Sequence, residues 1–214
     1  CIAPDYVFVP ESVKDAFINE AIKAIEGFYG KNADKSADYS RIINDANFER
    51  LKTYITAGDT IVYGGISDAE SRYISPTLLE STPDSAAMKD EIFGPVLPVL
   101  SYKEEKEMVS YIQSREKPLA MYIFSENNSF QNKMLKEIQA GNGAINDTIM
   151  QFTNPNLPFG GVNHSGIGDY HGKYSFRNFS HYKSIYKGSS LIDIPLRYPP
   201  FKDLTKKIIR RLLR

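Results

Sequence analysis

The apolar residues of this chain of 214 residues change repeatedly between a period of two and a period of about 3.6. A period of two buries one face of a strand, whereas a period of about 3.6 buries one side of a helix. The apolar runs at 96–102 and 119–124 predict buried strands, and the charged stretch 103–115 between them predicts a helix with a solvated face. This order predicts an α/β fold with a mostly parallel sheet and flanking helices.

The same patterns predict further elements along the chain. Strands are predicted at 6–9, 60–63 and 143–146, and helices at about 12–29, 45–57 and 125–140. The second helix places Phe48, Leu51 and Ile55 on one inward face.

After residue 147 the regular patterns end, and three segments of different composition follow. Residues 148–172 are rich in Gly, Pro and Asn, and a long irregular stretch inside a compact domain is typical of a chain that lines a site. From 173 to 187 aromatic residues alternate with polar ones, which predicts an exposed or inter-subunit strand. We therefore expect a main domain at 1–172, a strand with its extension at 173–200, and a basic amphipathic tail helix at 201–214.

Charge and composition exclude several classes of protein. Lys plus Arg and Asp plus Glu both number 26, so the chain lacks the net basic charge of a general nucleic-acid binder. The sequence has no apolar run near the ~18 residues of a membrane span. A single cysteine fits a reducing compartment, so we expect a cytoplasmic protein. Because the chain has neither an initiator Met nor a signal segment, we expect Cys1 to mark a processing boundary or a cut.

Cys1 is the only cysteine, so it can form neither an internal disulfide nor a multi-thiolate metal site. It is either inert or a nucleophile. The histidines at 164, 171 and 181 are not spaced as metal ligands and lack carboxylate-rich neighbours, so we expect no zinc. His171 and His181 are interpreted as structural or surface residues.

Two strings carry further chemical patterns. In EIFGPVLPV, from Glu91 to Val99, a carboxylate can accept hydrogen bonds from both hydroxyls of a ribose, and Phe93 can pack on a flat ring. The alternative is a plain loop that enters a strand. In LPFGGVNHSGIG, from Leu157 to Gly168, the glycines could cradle a phosphate, but the string fits neither a P-loop nor a strand–GxGxxG–helix pattern.

Together these strings point to one family. CIAPDYV, EIFGPVLPV and LPFGGVNHSGIG resemble the NAD(P)-dependent aldehyde dehydrogenases, in their order and spacing. RIIN, KPLAMYIFS and DYHGKYSFRNFSHYKS resemble the class 3 and fatty aldehyde dehydrogenase branch in particular. The resemblance extends from Cys1 to about Pro200.

The resemblance implies roles for seven residues. Cys1 would be the catalytic nucleophile, which forms a thiohemiacetal and then a thioester with an aldehyde, with hydride transfer to NAD or NADP. Glu91 and Phe93 would hold the nicotinamide riboside, with Asn47 and Arg50 at the cofactor ribose and neighbouring groups. The substrate tunnel would be lined by Phe159, with His164 at its mouth.

The resemblance also bears on assembly and on activity. It implies a homodimer that pairs through 176–186. In the family the general base, the second oxyanion donor and the Rossmann domain precede the nucleophile, so we expect this chain to be inactive alone. Two other hypotheses are an N-terminal-nucleophile hydrolase with Cys1 as nucleophile, and a non-enzymatic oligomerising fragment.

The tail from 201 to 214 allows two interpretations. It is either a surface helix that packs its apolar face on the body of the protein, or an interfacial helix that makes peripheral contact with anionic membranes. The tail carries six basic side chains against the single acid Asp203: Lys202, Lys206, Lys207, Arg210, Arg211 and Arg214.

Overall fold

The computed structural model describes residues 1–213 and forms two compact units, Cys1–Phe179 and the residues from Ser180 onward. The α-helices of the described residues are α1 (Lys14–Tyr29), α2 (Asp45–Thr56), α3 (Glu105–Gln113), α4 (Asn128–Glu137), α5 (Met150–Thr153), α6 (Gly172–Asn178) and α7 (Asp203–Leu212). The strands are β1 (Val7–Pro10), β2 (Thr60–Tyr63), β3 (Ser67–Asp68), β4 (Tyr73–Ile74), β5 (Thr77–Glu80), β6 (Val96–Tyr102), β7 (Ala120–Ile123) and β8 (Asn142–Ile145).

The main sheet has the strand order β1-β6-β5-β2. Strand β6 is central and pairs in parallel with β1 on one side and β5 on the other, while β2 closes the sheet in the antiparallel sense. Strands β7 and β8 form a parallel pair of their own, and β3 with β4 forms a short antiparallel pair. The predicted α/β fold with a mostly parallel sheet is thereby confirmed.

The hydrophobic core of the first unit explains why α2 lies where it does. Phe48, Leu51 and Ile55 recur at helical spacing and are all buried, as the sequence predicts, and they pack with Leu79 of β5 and Val96 of β6. At the start of this helix the Asn44 side chain accepts a hydrogen bond from the backbone N–H of Asn47 at 2.9 Å, which satisfies one of the free donors of the first turn. The helix is therefore held at its first turn and along its buried face.

Two smaller clusters support the other strands. One joins α3, α4 and β7 through Met108, Ile123 and Met134. The other joins β1, α1 and β6 through Val9, Ile18 and Val99. Strands β1, β5, β6 and β7 thus each have a helix packed against them, which is the arrangement that parallel sheets require.

The strand predicted at 173–187 is wrong for its first part, because residues 172–178 form α6. The side-chain pattern that suggested a strand also has a spacing of three, from Phe176 to Phe179, and this spacing suits a helical turn. Residues 180–189 are assigned to no helix or strand within the described chain.

The first compact unit ends at Phe179, seven residues after the end that the sequence predicts for the main domain. The Asn178 side chain donates to the Asp169 carbonyl at 3.0 Å, and this bond ties α6 to the preceding loop. The unit accordingly extends to Phe179.

The sequence interpretation missed the internal strand β5. Its Leu78 and Leu79 are almost completely buried, but Pro76 precedes a run of only two apolar residues, too short to predict a strand. In the tail, α7 lies within the predicted helix at 201–214. Among residues 1–213, no helix combines the length and apolarity needed to cross a bilayer.

Candidate functional site

The predicted nucleophile and the predicted cofactor carboxylate lie side by side. Cys1 is exposed, and its backbone nitrogen is 3.6 Å from Oε1 of Glu91. Both side chains are more than half exposed, so a small molecule can reach them. The structure therefore brings together two residues that are 90 positions apart in the sequence.

The peptide of Ile92 is the physical link between the two segments. Its N–H donates to Oδ1 of Asp5 at 2.8 Å, and its carbonyl accepts from Nη2 of Arg50 at 2.8 Å. The Ile92 side chain is only 1% exposed and packs in the same cluster as α2. Because both polar groups and the side chain of this residue are held, its neighbours Glu91 and Phe93 project from a rigid point.

The Asp5 carboxyl is partly buried beside this peptide. Burial raises the pKa of Asp5 above its ordinary value of 3.8, and the hydrogen bond from Ile92 lowers it by a smaller amount. Glu91 adds a further raising effect, and Arg50 a small lowering one. The carboxylate form therefore carries a desolvation cost in the folded protein.

Arg50 is anchored by several acceptors rather than extended into solvent. It donates to the Tyr54 hydroxyl at 3.1 Å and to Oδ1 of Asn47 at 3.4 Å, in addition to the Ile92 carbonyl. Its guanidinium carbon also lies 5.6 Å from the centre of the Tyr54 ring. The geometry gives Arg50 a part in holding the Glu91 segment, a role that the sequence interpretation did not include.

Phe93 is presented outward by an unusual backbone conformation. Its φ of 48° lies in the left-handed region, which is rare for an aromatic residue, and its side chain is 60% exposed. The next residue must be glycine, because a Cβ on Gly94 would lie 2.4 Å from a methyl carbon of the buried Leu51. The core and the backbone together hold the aromatic ring at the surface.

A surface pocket of about 330 Å³ lies beside this ring. The four residues that the sequence predicts at the cofactor are thus close to one another. Asn47, Arg50 and Phe93 line the pocket, and Glu91 directly precedes Ile92, whose peptide is held by two hydrogen bonds. The pocket is lined by Arg41, Ile42, Ile43, Asn47, Arg50 and Phe93.

Phe159 lies in a cluster of four rings within the Gly- and Pro-rich segment 148–172. It is 8% exposed, and its ring centre is 5.0 Å from that of Phe152, 5.7 Å from that of Tyr170 and 6.0 Å from that of His171. Backbone hydrogen bonds in both directions between Phe159 and Tyr170 close the loop 160–169. Gly160 permits this approach, because a Cβ there would lie 2.0 Å from the carbonyl oxygen of Gly168.

The structure places His164 and His171 differently. His164 is exposed in a short 3-10 helix, with Nδ1 3.1 Å from Oε2 of Glu116. His171 belongs to the ring cluster, and its Nδ1 is buried without a hydrogen-bond partner among the described residues. The sequence interpretation treated His171 as structural or surface. Its position directly after Tyr170, in the string that ends the irregular segment, is the sequence feature that could have indicated its place in the ring cluster.

Asp5 is the other residue whose role the sequence interpretation missed. It lies inside the string CIAPDYV, but its partner Ile92 is 87 residues away. Among residues 1–213, no group of three or more His, Cys, Asp or Glu side chains is arranged to hold a metal ion.

This chain is similar to known proteins of one family. A family model described as the aldehyde dehydrogenase family matches residues 1–185. The 4,4'-diaponeurosporen-aldehyde dehydrogenase of Staphylococcus aureus is 47% identical over 97% of this chain and 46% of the relative, and the rat aldehyde dehydrogenase family 3 member A2 is 46% identical over 94% and 42%. The chain therefore spans about half the length of the curated relatives it matches.

Solved structures give the same result. The substrate-bound Staphylococcus aureus AldH superimposes with a TM-score of 0.88 at 45% identity, over 100% of this chain and 47% of that one. An NAD-dependent aldehyde dehydrogenase from Sinorhizobium meliloti superimposes with a TM-score of 0.76 at 29% identity, over 86% and 38%.

The raised pKa of Asp5 leads to a test of the link at Ile92. Replacing Asp5 with Asn keeps an acceptor for the Ile92 N–H and removes the buried charge. Since the folded-state pKa of Asp5 is above its unfolded value, the wild type loses stability as the pH rises through the folded pKa. We therefore expect the stability of Asp5→Asn relative to wild type to increase from pH 3 to pH 7, measured by urea unfolding.

The matched control is Asp5→Leu, which leaves the Ile92 N–H without an acceptor. This variant should be destabilised at pH 7 by about 1–3 kcal/mol. A difference between Asp5→Asn and wild type that does not change with pH would contradict the assignment of the buried charge.

Proposed function

Because this chain belongs to the aldehyde dehydrogenase family, we propose that it is the nucleophile-bearing part of an NAD(P)-dependent enzyme that oxidises aldehydes to carboxylic acids. The observation that supports this most directly is the contact of the Cys1 segment with the Glu91 segment through the Ile92 peptide. A nucleophile must lie next to the hydride acceptor, and this contact joins the residues suited to each task.

The Cys1 thiol is suited to the covalent step. As a thiolate it adds to the aldehyde carbon, and the former carbonyl oxygen carries the negative charge of the tetrahedral adduct. A backbone N–H at the nucleophile can donate to that oxygen. Once the hydride has left, the adduct becomes a thioester, and attack by water releases the acid and restores the thiol.

NAD or NADP, when bound, supplies the acceptor for the hydride. The residues present fit the nicotinamide end of such a cofactor. Glu91 offers an exposed carboxylate for the ribose hydroxyls, and Phe93 offers an exposed ring for a flat partner beside the pocket that Asn47 and Arg50 line. In this proposal Arg50 acts in part by holding the Ile92 carbonyl.

Phe159 and His164 are proposed to form the substrate side. Phe159 stands in a cluster of four rings that offers an apolar wall to the carbon chain of an aldehyde. His164 is exposed in the short helix that follows, and this exposure suits its proposed role at the mouth of the tunnel.

We propose a homodimer, and the single cysteine of the chain suits a reducing compartment such as the cytoplasm. One rat relative, 44% identical over 94% of this chain, is named a dimeric, NADP-preferring aldehyde dehydrogenase. Within 176–186 the side chains of Phe179, Ile185 and Tyr186 are largely exposed, and a second subunit would cover them. The proposed assembly pairs two copies through this segment, while the tail from 201 adds a peripheral membrane contact.

The hypothesis of an N-terminal-nucleophile hydrolase has less support. That class is built on stacked antiparallel sheets, whereas β1, β5 and β6 pair in parallel here, as do β7 and β8.

Glu91→Gln tests the assignment of the cofactor carboxylate in the full-length enzyme. A carboxylate that accepts from two hydroxyls loses one charge-assisted bond, so we expect hydride transfer to slow by about tenfold to a hundredfold. Affinity for the adenosine end of the cofactor should change much less. Single-turnover formation of the reduced cofactor measures the first effect and binding of AMP the second. Unchanged single-turnover and steady-state rates would rule out this role.

Deletion of residues 201–214 tests the membrane contact. Helix α7 exposes Leu204 and Leu212, and each Lys or Arg near an anionic surface contributes about 1 kcal/mol. We expect weaker binding to vesicles that contain phosphatidylserine, most clearly at low salt, and a greater loss of activity on long-chain than on short-chain aldehydes. A control with Lys207→Gln and Arg211→Gln should lose part of the binding. Equal vesicle binding with and without the tail would leave only the surface-helix interpretation.

A further inference from the structure

A row of hydrogen-bonded polar side chains leads to the start of the chain. Tyr122 lies in β7, Asn142 in β8 and Gln151 in α5, and Gln151 is only 7% exposed. Nε2 of Gln151 donates to the Tyr122 hydroxyl at 3.1 Å and to Oδ1 of Asn142 at 2.9 Å. Nδ2 of Asn142 in turn donates to the Leu119 carbonyl at 2.8 Å.

The hydrogen bonds in this row determine that the Tyr122 hydroxyl is a donor in its bond to the Ile2 carbonyl. The amide nitrogen of Gln151 has two hydrogens and uses both, so the Tyr122 oxygen accepts one of them and keeps its own hydrogen to donate. That hydrogen goes to the Ile2 carbonyl, with an oxygen–oxygen distance of 2.5 Å. Ile2 directly follows Cys1, so the row ends on the peptide next to the nucleophile.

The same helical turn also touches the proposed wall of the substrate tunnel. Phe152 follows Gln151 in α5, and its ring centre is 5.0 Å from that of Phe159. The turn begins after Ile149, whose φ of 69° is in the left-handed region and costs conformational energy. Such strain persists only where the surrounding contacts impose it, and here Gln151 and Phe152 supply them.

We propose that Tyr122 and Gln151 are positioning residues for the Cys1 nucleophile. The Ile2 carbonyl is held by Tyr122 from one side, and Asp5 is held by the Ile92 N–H from another. The segment that carries the nucleophile is thus held at two points, and Gln151 orients the Tyr122 hydroxyl at the first of them. This inference rests on the proposed function, because it concerns the thiol that would attack the aldehyde.

The test uses Tyr122→Phe and the isosteric Gln151→Glu in the full-length enzyme. The carboxylate of Gln151→Glu has no N–H to give, so the Tyr122 hydroxyl would turn to it and leave the Ile2 carbonyl. The Asn142 amide can rotate to donate to the new carboxylate, but it then gives up its bond to the Leu119 carbonyl. The free energy of urea unfolding is therefore measured for both variants beside the rates, because a purely structural role would lower stability, whereas the positioning role slows the reaction of protein that is still folded.

We expect both variants to slow single-turnover formation of the reduced cofactor by about tenfold, with KM within about twofold of wild type. The rate at which iodoacetamide alkylates Cys1 should change in both, measured as a pH profile. The double variant should lose no more than the larger single loss, because the two residues act through one bond.

Tyr111→Phe is the matched control. Its hydroxyl is also buried, but it has no hydrogen-bond partner among the described residues, so its removal should leave both rates unchanged. Unchanged turnover and alkylation in Tyr122→Phe and Gln151→Glu would overturn the proposal, as would an equal loss in Tyr111→Phe. If the wild-type enzyme oxidises no aldehyde, the proposed function fails, while the alkylation profiles still test the anchoring of Cys1.

Discussion

The two hydrogen bonds to the peptide of Ile92 join parts of the chain that are otherwise far apart. Asp5 brings the segment that carries Cys1, and Arg50 brings helix α2. A nucleophile and a cofactor site must keep a separation within a fraction of an ångström for hydride transfer to be fast. Holding both from one buried residue meets this requirement, because any movement of Ile92 moves Glu91 and Phe93 with it.

The fold supplies the rigidity on which this link depends. Helix α2 buries Leu51 completely against the same cluster that contains Ile92, and Gly94 leaves room for that side chain. Strand β6 begins two residues after Gly94 and is bonded on both sides. Packing thus restrains the loop from one end and the sheet restrains it from the other. The exposed ring of Phe93 is the part left for a ligand.

Much of the fold and part of the site were predictable from local patterns. The apolar face of α2 follows from a helical period, and the strands β6 and β7 follow from continuous apolar runs. One short string singled out Glu91 and Phe93, and the structure brings Glu91 close to Cys1. By contrast, β5 has too few apolar residues to be recognised, and α6 was mistaken for a strand. The roles of Asp5 and Gln151 depend on partners that only the tertiary structure reveals, 87 and 29 residues away.

Detection of an acyl group on Cys1 during turnover is the most direct test of the proposed chemistry. The full-length enzyme would be mixed with an aldehyde and NAD or NADP, quenched with acid within one turnover, and digested for mass spectrometry. We expect the peptide that contains Cys1 to gain the mass of the aldehyde less two hydrogen atoms, since addition of the thiol and loss of hydride leave a thioester. The gain should be absent in Cys1→Ser. Sustained aldehyde oxidation by Cys1→Ser, or an acyl group on another residue, would contradict the assignment of Cys1 as the nucleophile.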